Sequence, residues 1–197
     1  MCKRERFDVL TIITDNQALL WKEARGIAPD VTADKLDDAM LEWQSELTKT
    51  LKIWIDKGLS MTNGELILAR ANLGAVVESW LKLFCSVYYD DYCKIPITKS
   101  GKMVEPEKAS FDMLKNFSSG KLWNNTNSSE YAWVESVQHK RNAIHSFIYR
   151  NIGTPQEFLE DVDHLYDFVD NVISHFPPLE DCIVTYPIGY VMNPYSY

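Results

Sequence analysis

The feature that most constrains the fold of this sequence is the stretch from Glu65 to Tyr88, where apolar residues recur at intervals of three or four. This spacing is typical of an α-helix, and the apolar face is so wide that little of the helix is left for water. Thr62 and Glu65 have the spacing of a capping box, in which each side chain binds the other residue's backbone N–H. We therefore predict a helix that occupies the centre of the protein. Its main seam consists of Leu66, Leu73, Val77, Trp80, Phe84 and Val87.

Other segments have the same periodicity, and most of the breaks between them are short. Thr154 and Glu157 form a second capping-box pattern, with Pro155 at the first helical position. Long helices joined by short connections favour an all-α protein, an antiparallel up-and-down helical bundle. The predicted helices besides the central one cover about 5–25, 33–57, 106–117, 130–151 and 155–176.

The segments divide the chain into one helical domain and a short tail. The domain is predicted to cover residues 1–176, with its core in residues 63–176. Residues 177–197 contain four tyrosines together with proline and glycine. Such a composition is too rich in proline for a helix, so we predict a short irregular C-terminal arm on the body or on a partner chain. Leu122 and Trp123 are predicted to hold the polar linker 118–129 against the body.

Composition excludes several classes of protein. The formal net charge of −8 argues against a protein that binds nucleic acid with its whole surface, although a local basic patch remains compatible with it. The four cysteines have no CxxC spacing, so neither a disulfide framework nor a zinc site is indicated. No apolar run is long enough to span a bilayer, and the start of the chain does not resemble a signal peptide. We expect a protein of the reducing cytoplasm. The cysteines are Cys2, Cys85, Cys93 and Cys182.

Residues 140–148 are the stretch with the clearest chemical content, because a cation, an amide and an imidazole lie within nine residues. On the predicted helix, Arg141 and His145 share a face and Asn142 is their neighbour. The helix should bury an apolar stripe and leave Arg141 and His145 at the border between core and surface. The stripe comprises Val137, Ile144 and Ile148, extended by Trp133, Lys140 and Phe147.

The pattern Arg-Asn-Ala-Ile-His at 141–145, followed by Gly-Thr-Pro at 153–155 and a last helix, resembles the higher-eukaryote and prokaryote nucleotide-binding (HEPN) domains. It is most similar to a branch found on plasmids and prophages. The resemblance covers residues 65–176 in helix order and residues 140–154 in specific positions. It implies a bundle of four or five helices that usually forms a homodimer. Three residues separate Arg141 from His145, whereas the family usually has four to six; counting from Lys140 gives four.

Active members of that family are metal-independent ribonucleases, often toxins or anti-phage effectors, so the resemblance implies an RNA substrate and no metal or cofactor. His145 would transfer protons at the RNA 2′-hydroxyl or the leaving 5′-oxygen. Arg141, helped by Lys140, would bind the phosphate, and Asn142 would donate to the phosphate or fix the imidazole tautomer. A dimer would bring two such sets together. A neutralising antitoxin is a further partner that the resemblance implies.

Other interpretations of these residues stay open. The same helices could form a non-catalytic module that binds a nucleotide, a nucleic acid or a partner protein. Glu78 in the central helix could orient the basic residues, although an exposed helical glutamate is the more common case. Asp161, Asp163, His164, Asp167 and Asp170 are spread around their helix, which favours a solvated acidic face over a metal cluster.

Overall fold

Helix α4, Asn63–Val87, runs through the middle of the protein and contacts most of the other elements. The coordinates are those of a computed structural model, which describes residues 3–177. Leu73, Val77 and Trp80 are fully buried. The predicted capping box is present at the start of α4, where Thr62 N–H donates to Glu65 Oε2 over 2.9 Å and Glu65 N–H donates to Thr62 Oγ1 over 3.3 Å. The prediction of a central helix is confirmed.

The other helices surround α4, and the structure is all-α except for one short antiparallel hairpin. In the hairpin, Thr98 pairs with Met103 and Lys99 with Lys102. Within residues 3–177, none of the helices is long and apolar enough to cross a membrane. Most of the predicted C-terminal arm lies outside the described residues. The elements other than α4 are α1 Lys3–Lys22, α2 Asp30–Asp37, α3 Leu41–Lys57, α5 Tyr89–Lys94, β1 Thr98–Lys99, β2 Lys102–Met103, α6 Phe111–Phe117, α7 Ser129–Arg141 and α8 Pro155–Ser174.

The N-terminal helices share the same core as the rest of the bundle. Helix α1 packs along α3 and against α8, and α3 packs along α4. Phe7 and Trp21 of α1 belong to one buried cluster with residues of α4 and α8, and the Trp21 ring meets Phe176 edge to face at 5.4 Å. Leu122 and Trp123 are buried, which confirms that they hold the polar linker to the body.

The prediction of one helix over 33–57 is wrong, because the chain breaks between α2 and α3. Lys22 Nζ donates to the carbonyl of Asp37 over 2.6 Å and to that of Ala39 over 3.3 Å, so the carbonyls at the end of α2 find partners outside a helix. When the helix restarts at Leu41, Trp43 points outwards and is largely exposed. The residues of this segment have a continuous helical pattern, and the contact from α1 lies at the break in it.

The prediction of one helix over 130–151 is also wrong. Helix α7 ends at Arg141, a 3-10 turn covers Asn142–His145, and Ser146 has the left-handed φ of 50°. A residue in that conformation ends a helix, and the chain then runs without regular structure to the capping box of α8. The predicted helix over 106–117 is likewise divided into a 3-10 turn, Pro106–Lys108, and α6.

Candidate functional site

The motif residues lie on two different elements, so they do not share one helix face. Arg141 is the last residue of α7, and His145 is the last residue of the 3-10 turn that follows. The apolar stripe that was predicted to hold them is also wrong beyond α7. Val137 is buried, but Ile148 is 71% exposed and Phe147 99% exposed. The motif therefore lies at the start of an exposed apolar segment rather than over a buried stripe.

Arg141 lies directly across the central helix, and Gly74 makes this possible. A Cβ atom added at Gly74 would overlap the Cβ and Cγ atoms of Arg141. No larger residue fits at position 74 without moving Arg141 or separating α7 from α4. Gly74 is thus the position in α4 that allows α7 to approach closely at its last turn.

Glu78, one turn further along α4, receives the guanidinium of Arg141. Arg141 Nη2 donates to Glu78 Oε2 over 2.9 Å, and Lys82 Nζ lies 2.8 Å from Glu78 Oε1. The Glu78 side chain is only 13% exposed, so the favoured interpretation of an exposed glutamate is wrong. Asn142 Oδ1 accepts a long bond of 3.4 Å from Arg141 Nη1. Gly74 and Glu78 lie four residues apart on one face of α4, so Arg141 contacts this face at both positions.

Lys140 points towards α8 and binds a different carboxylate. Its Nζ atom lies 3.0 Å from Asp161 Oδ2, while Trp133 Nε1 donates to Asp161 Oδ1 over 3.0 Å. Arg70 of α4 also binds Asp161 Oδ2 through Nη1. Asp161 is therefore a shared acceptor with a side chain 13% exposed, and the interpretation of a solvated acidic face is wrong for it.

Sequence reasoning missed Arg70, although a charged residue on the apolar seam of α4 indicates a buried ion pair. Arg70 falls between Leu66 and Leu73 on the apolar seam of α4, where a charged side chain must find a buried partner. It is 1% exposed in the structure. Burial lowers the pKa of its guanidinium, and the charge of Asp161 opposes that shift.

His145 takes part in neither the Arg141–Glu78 ion pair nor the Lys140–Asp161 ion pair. Its side chain is exposed, and among residues 3–177 it has no hydrogen-bond or ion-pair partner. Asn142 contacts Arg141 rather than the imidazole. The structure thus brings together Arg141, Asn142 and Glu78, places Lys140 with Asp161, and leaves the His145 imidazole accessible to a ligand.

The described part of the chain offers no metal cluster, since no three His, Cys, Asp or Glu side chains are grouped so that they could hold an ion.

Two surface cavities, of about 320 and 420 Å³, lie elsewhere in the fold. The first is lined by aromatic residues of α4, α5 and α6, and the second by residues of α1, α3 and α8. Residues 140–149 line neither of them.

Comparison of the chain with protein-family models, with curated proteins and with solved structures found no match. Its function is therefore inferred from its own residues.

Proposed function

We propose that this chain is a HEPN-like protein that cleaves RNA as a homodimer, without a metal ion, through His145 and Arg141. The observation that carries the proposal is the accessible imidazole of His145 on the turn that directly follows Arg141, whose guanidinium is held by Glu78. A general base must be able to reach its substrate, and an imidazole titrates in the physiological range.

In the proposed reaction, His145 removes the proton from an RNA 2′-hydroxyl. The 2′-oxygen then attacks the adjacent phosphorus, and the bond from phosphorus to the 5′-oxygen breaks. The leaving 5′-oxygen takes a proton from a second acid, for which the partner's His145 is the simplest source. The products are a 2′,3′-cyclic phosphate and a 5′-hydroxyl, so no water or cofactor is consumed.

Arg141 supplies the positive charge at the phosphate. A guanidinium has five N–H donors, and the strong bond to Glu78 uses only one of them. The side chain is 31% exposed, so further donors can reach a ligand. Because Gly74 and Glu78 fix its position, Arg141 would meet the charge that develops on the phosphorane oxygens without first having to reorganise. Asn142 would assist at the same oxygens.

The dimer is supported by the exposed apolar residues that surround His145. Phe147 is 99% exposed and Tyr149 91% exposed, and Ile144 and Ile148 of the same segment are also exposed. Exposed apolar residues grouped in one segment favour an interface. A second copy that covers this segment would place two copies of His145 near one another. As a toxin or anti-phage nuclease, the protein would act in the cytoplasm, and a neutralising antitoxin would be its natural regulator.

The proposal is tested by incubating the protein with total RNA in excess EDTA. Wild-type protein should cleave the RNA, and His145→Ala should not. His175→Ala is the matched control, because His175 is also exposed but lies at the other end of α8, a helix of 20 residues and roughly 30 Å. Thermal unfolding of each variant verifies that the fold is retained.

The second function, a non-catalytic binding module, is favoured by a different observation. Lys140 and Arg141 are both ion-paired within the chain, to Asp161 and Glu78, so the basic patch is largely neutralised. If folded wild-type protein leaves RNA intact and His145→Ala has no effect on any assay, the nuclease proposal fails and the module remains.

A further inference from the structure

A buried cation ties the central helix to the segment that precedes α8. Arg70 Nε donates to the carbonyl of Ile152 over 3.0 Å, and its Nη1 binds Asp161. The guanidinium also lies over the Phe158 ring, with 5.4 Å between Cζ and the ring centroid. Arg70 of α4 thus contacts Ile152, just before α8 begins, and two residues within α8, Phe158 and Asp161.

The carboxylate of Asp161 ties α7 to the same point. Trp133 and Lys140 are seven residues apart, two turns of α7, and both donate to Asp161 over 3.0 Å. Two contacts to one face of α7 fix its rotation and its position along its axis. The Asp161 side chain is 13% exposed and that of Lys140 is 19% exposed, so these bonds are shielded from water.

These contacts meet at the two ends of one loop. The loop that carries His145 begins after Lys140 and ends before Ile152, and both of these residues are held by the Arg70–Asp161 pair. Inside the loop, regular structure is limited to Arg141, the last residue of α7, and the 3-10 turn, and residues 144–151 are all exposed. Arg141 is held by Glu78 and Ala143 is buried, whereas residues 144–151 have little packing of their own, so the contacts at the two ends of the loop are the further restraints on its position.

We propose that Arg70, Lys140 and Asp161 form a clamp that closes the base of the loop at residues 141–151 and positions His145. In this arrangement Lys140 is a positioning residue, and its charge is used by Asp161 rather than by a phosphate. The consequence for catalysis rests on the function proposed above, whereas the clamp itself does not.

The clamp is tested first without RNA, by hydrogen exchange. The amides of Ser146, Phe147 and Gly153 each donate one hydrogen bond within or beside the loop. In Asp161→Asn they should exchange at least about tenfold faster than in wild type, because two cations lose a charged partner. Amides in the centre of α4 should keep their protection. Asp163→Asn is the control, because Asp163 lies on the same helix but faces Arg6 of α1, at 3.5 Å.

Lys140→Met provides a second test that leaves the Arg70–Asp161 pair in place. It should accelerate exchange at Ser146 and Phe147 while Gly153 stays protected. It should leave the salt dependence of RNA binding unchanged, whereas loss of a phosphate contact would reduce the slope by about one. Unchanged exchange at Ser146 and Phe147 in both Asp161→Asn and Lys140→Met would overturn the clamp, whether or not the protein cleaves RNA.

If RNA is cleaved, the effect on rate separates positioning from general stability. Asp161→Asn should lower kcat for a short oligoribonucleotide by at least about tenfold with little change in KM, because displacement of a proton-transferring group affects the chemical step. Asp163→Asn should change neither constant. Loss of cleavage in the absence of any change in exchange would contradict the clamp and leave the nuclease proposal standing.

Discussion

At the scale of single residues, the arrangement around Arg141 depends on the absence of a side chain at position 74. Gly74 lies in the interior of α4, where glycine is normally unfavourable because of its conformational freedom in the unfolded chain. Its place is explained by the Arg141 side chain, which lies where a Cβ would be. Glycine at this position lowers the intrinsic stability of the helix, but it allows α7 to approach α4 closely.

Gly74→Ala should therefore destabilise the protein, by about 1–3 kcal/mol, because an overpacked contact must be relieved by movement of α7. Gly64→Ala is the matched control, since Gly64 also lies in α4 but has open space beside it. That change should be neutral or slightly stabilising. Urea unfolding of both variants measures the difference, and equal effects would contradict the role given to Gly74.

At the scale of elements, the exposed segment after α7 is the surface that we propose as a dimer interface. Phe147→Glu should convert a wild-type dimer into a monomer of unchanged helical content, because a charge would be moved out of water at the interface. Ile95→Glu is the control: Ile95 is 78% exposed, and its segment is not part of the proposed interface. Sedimentation equilibrium gives the mass of each variant. A monomeric wild type at high concentration would rule out this surface as a dimer interface.

The same segment shows where sequence reasoning reaches its limit. The periodicity of residues 130–151 continues past Arg141, and a helix there would have been locally acceptable. The structure ends α7 at Arg141 and has Ser146 in the left-handed conformation, and contacts from Asp161 and Arg70 hold Lys140 and Ile152 on either side of this segment. Both partners are distant in sequence, so no local pattern contains this information. The break between α2 and α3 likewise has a contact from another helix, that of Lys22 with the carbonyl of Asp37.

At the scale of the whole molecule, the fold class could be predicted because one apolar helix so strongly requires others around it. Thr62–Glu65 and Thr154–Glu157 mark the starts of the two helices whose boundaries were predicted best. The types of residue in the site were also visible in sequence. Their pairing was not, since Arg141 with Glu78 and Lys140 with Asp161 depend on how α7 packs on α4 and where its side chains meet α8.

A buried thiol near the end of α4 can be used to measure whether this core opens locally or only on global unfolding. Cys85 is buried, and burial raises the pKa of its thiol to about 12, whereas Cys93 is exposed. Because alkylation needs the thiolate and access to it, iodoacetamide should modify Cys93 in the native protein and Cys85 only on global unfolding. Peptide mass mapping across a urea series, compared with circular dichroism, measures both sites. Rapid labelling of Cys85 without urea would show that this end of the bundle opens locally.

The most direct test of the proposed chemistry is the single-turnover cleavage rate of a short oligoribonucleotide in EDTA, with identification of the product ends. We predict that wild-type protein leaves a 2′,3′-cyclic phosphate and that His145→Ala lowers the rate by about 10²–10⁴-fold. Equal rates for the two proteins, or intact substrate after incubation with a folded wild-type dimer, would contradict the assignment of His145 as the proton-transferring residue of a ribonuclease.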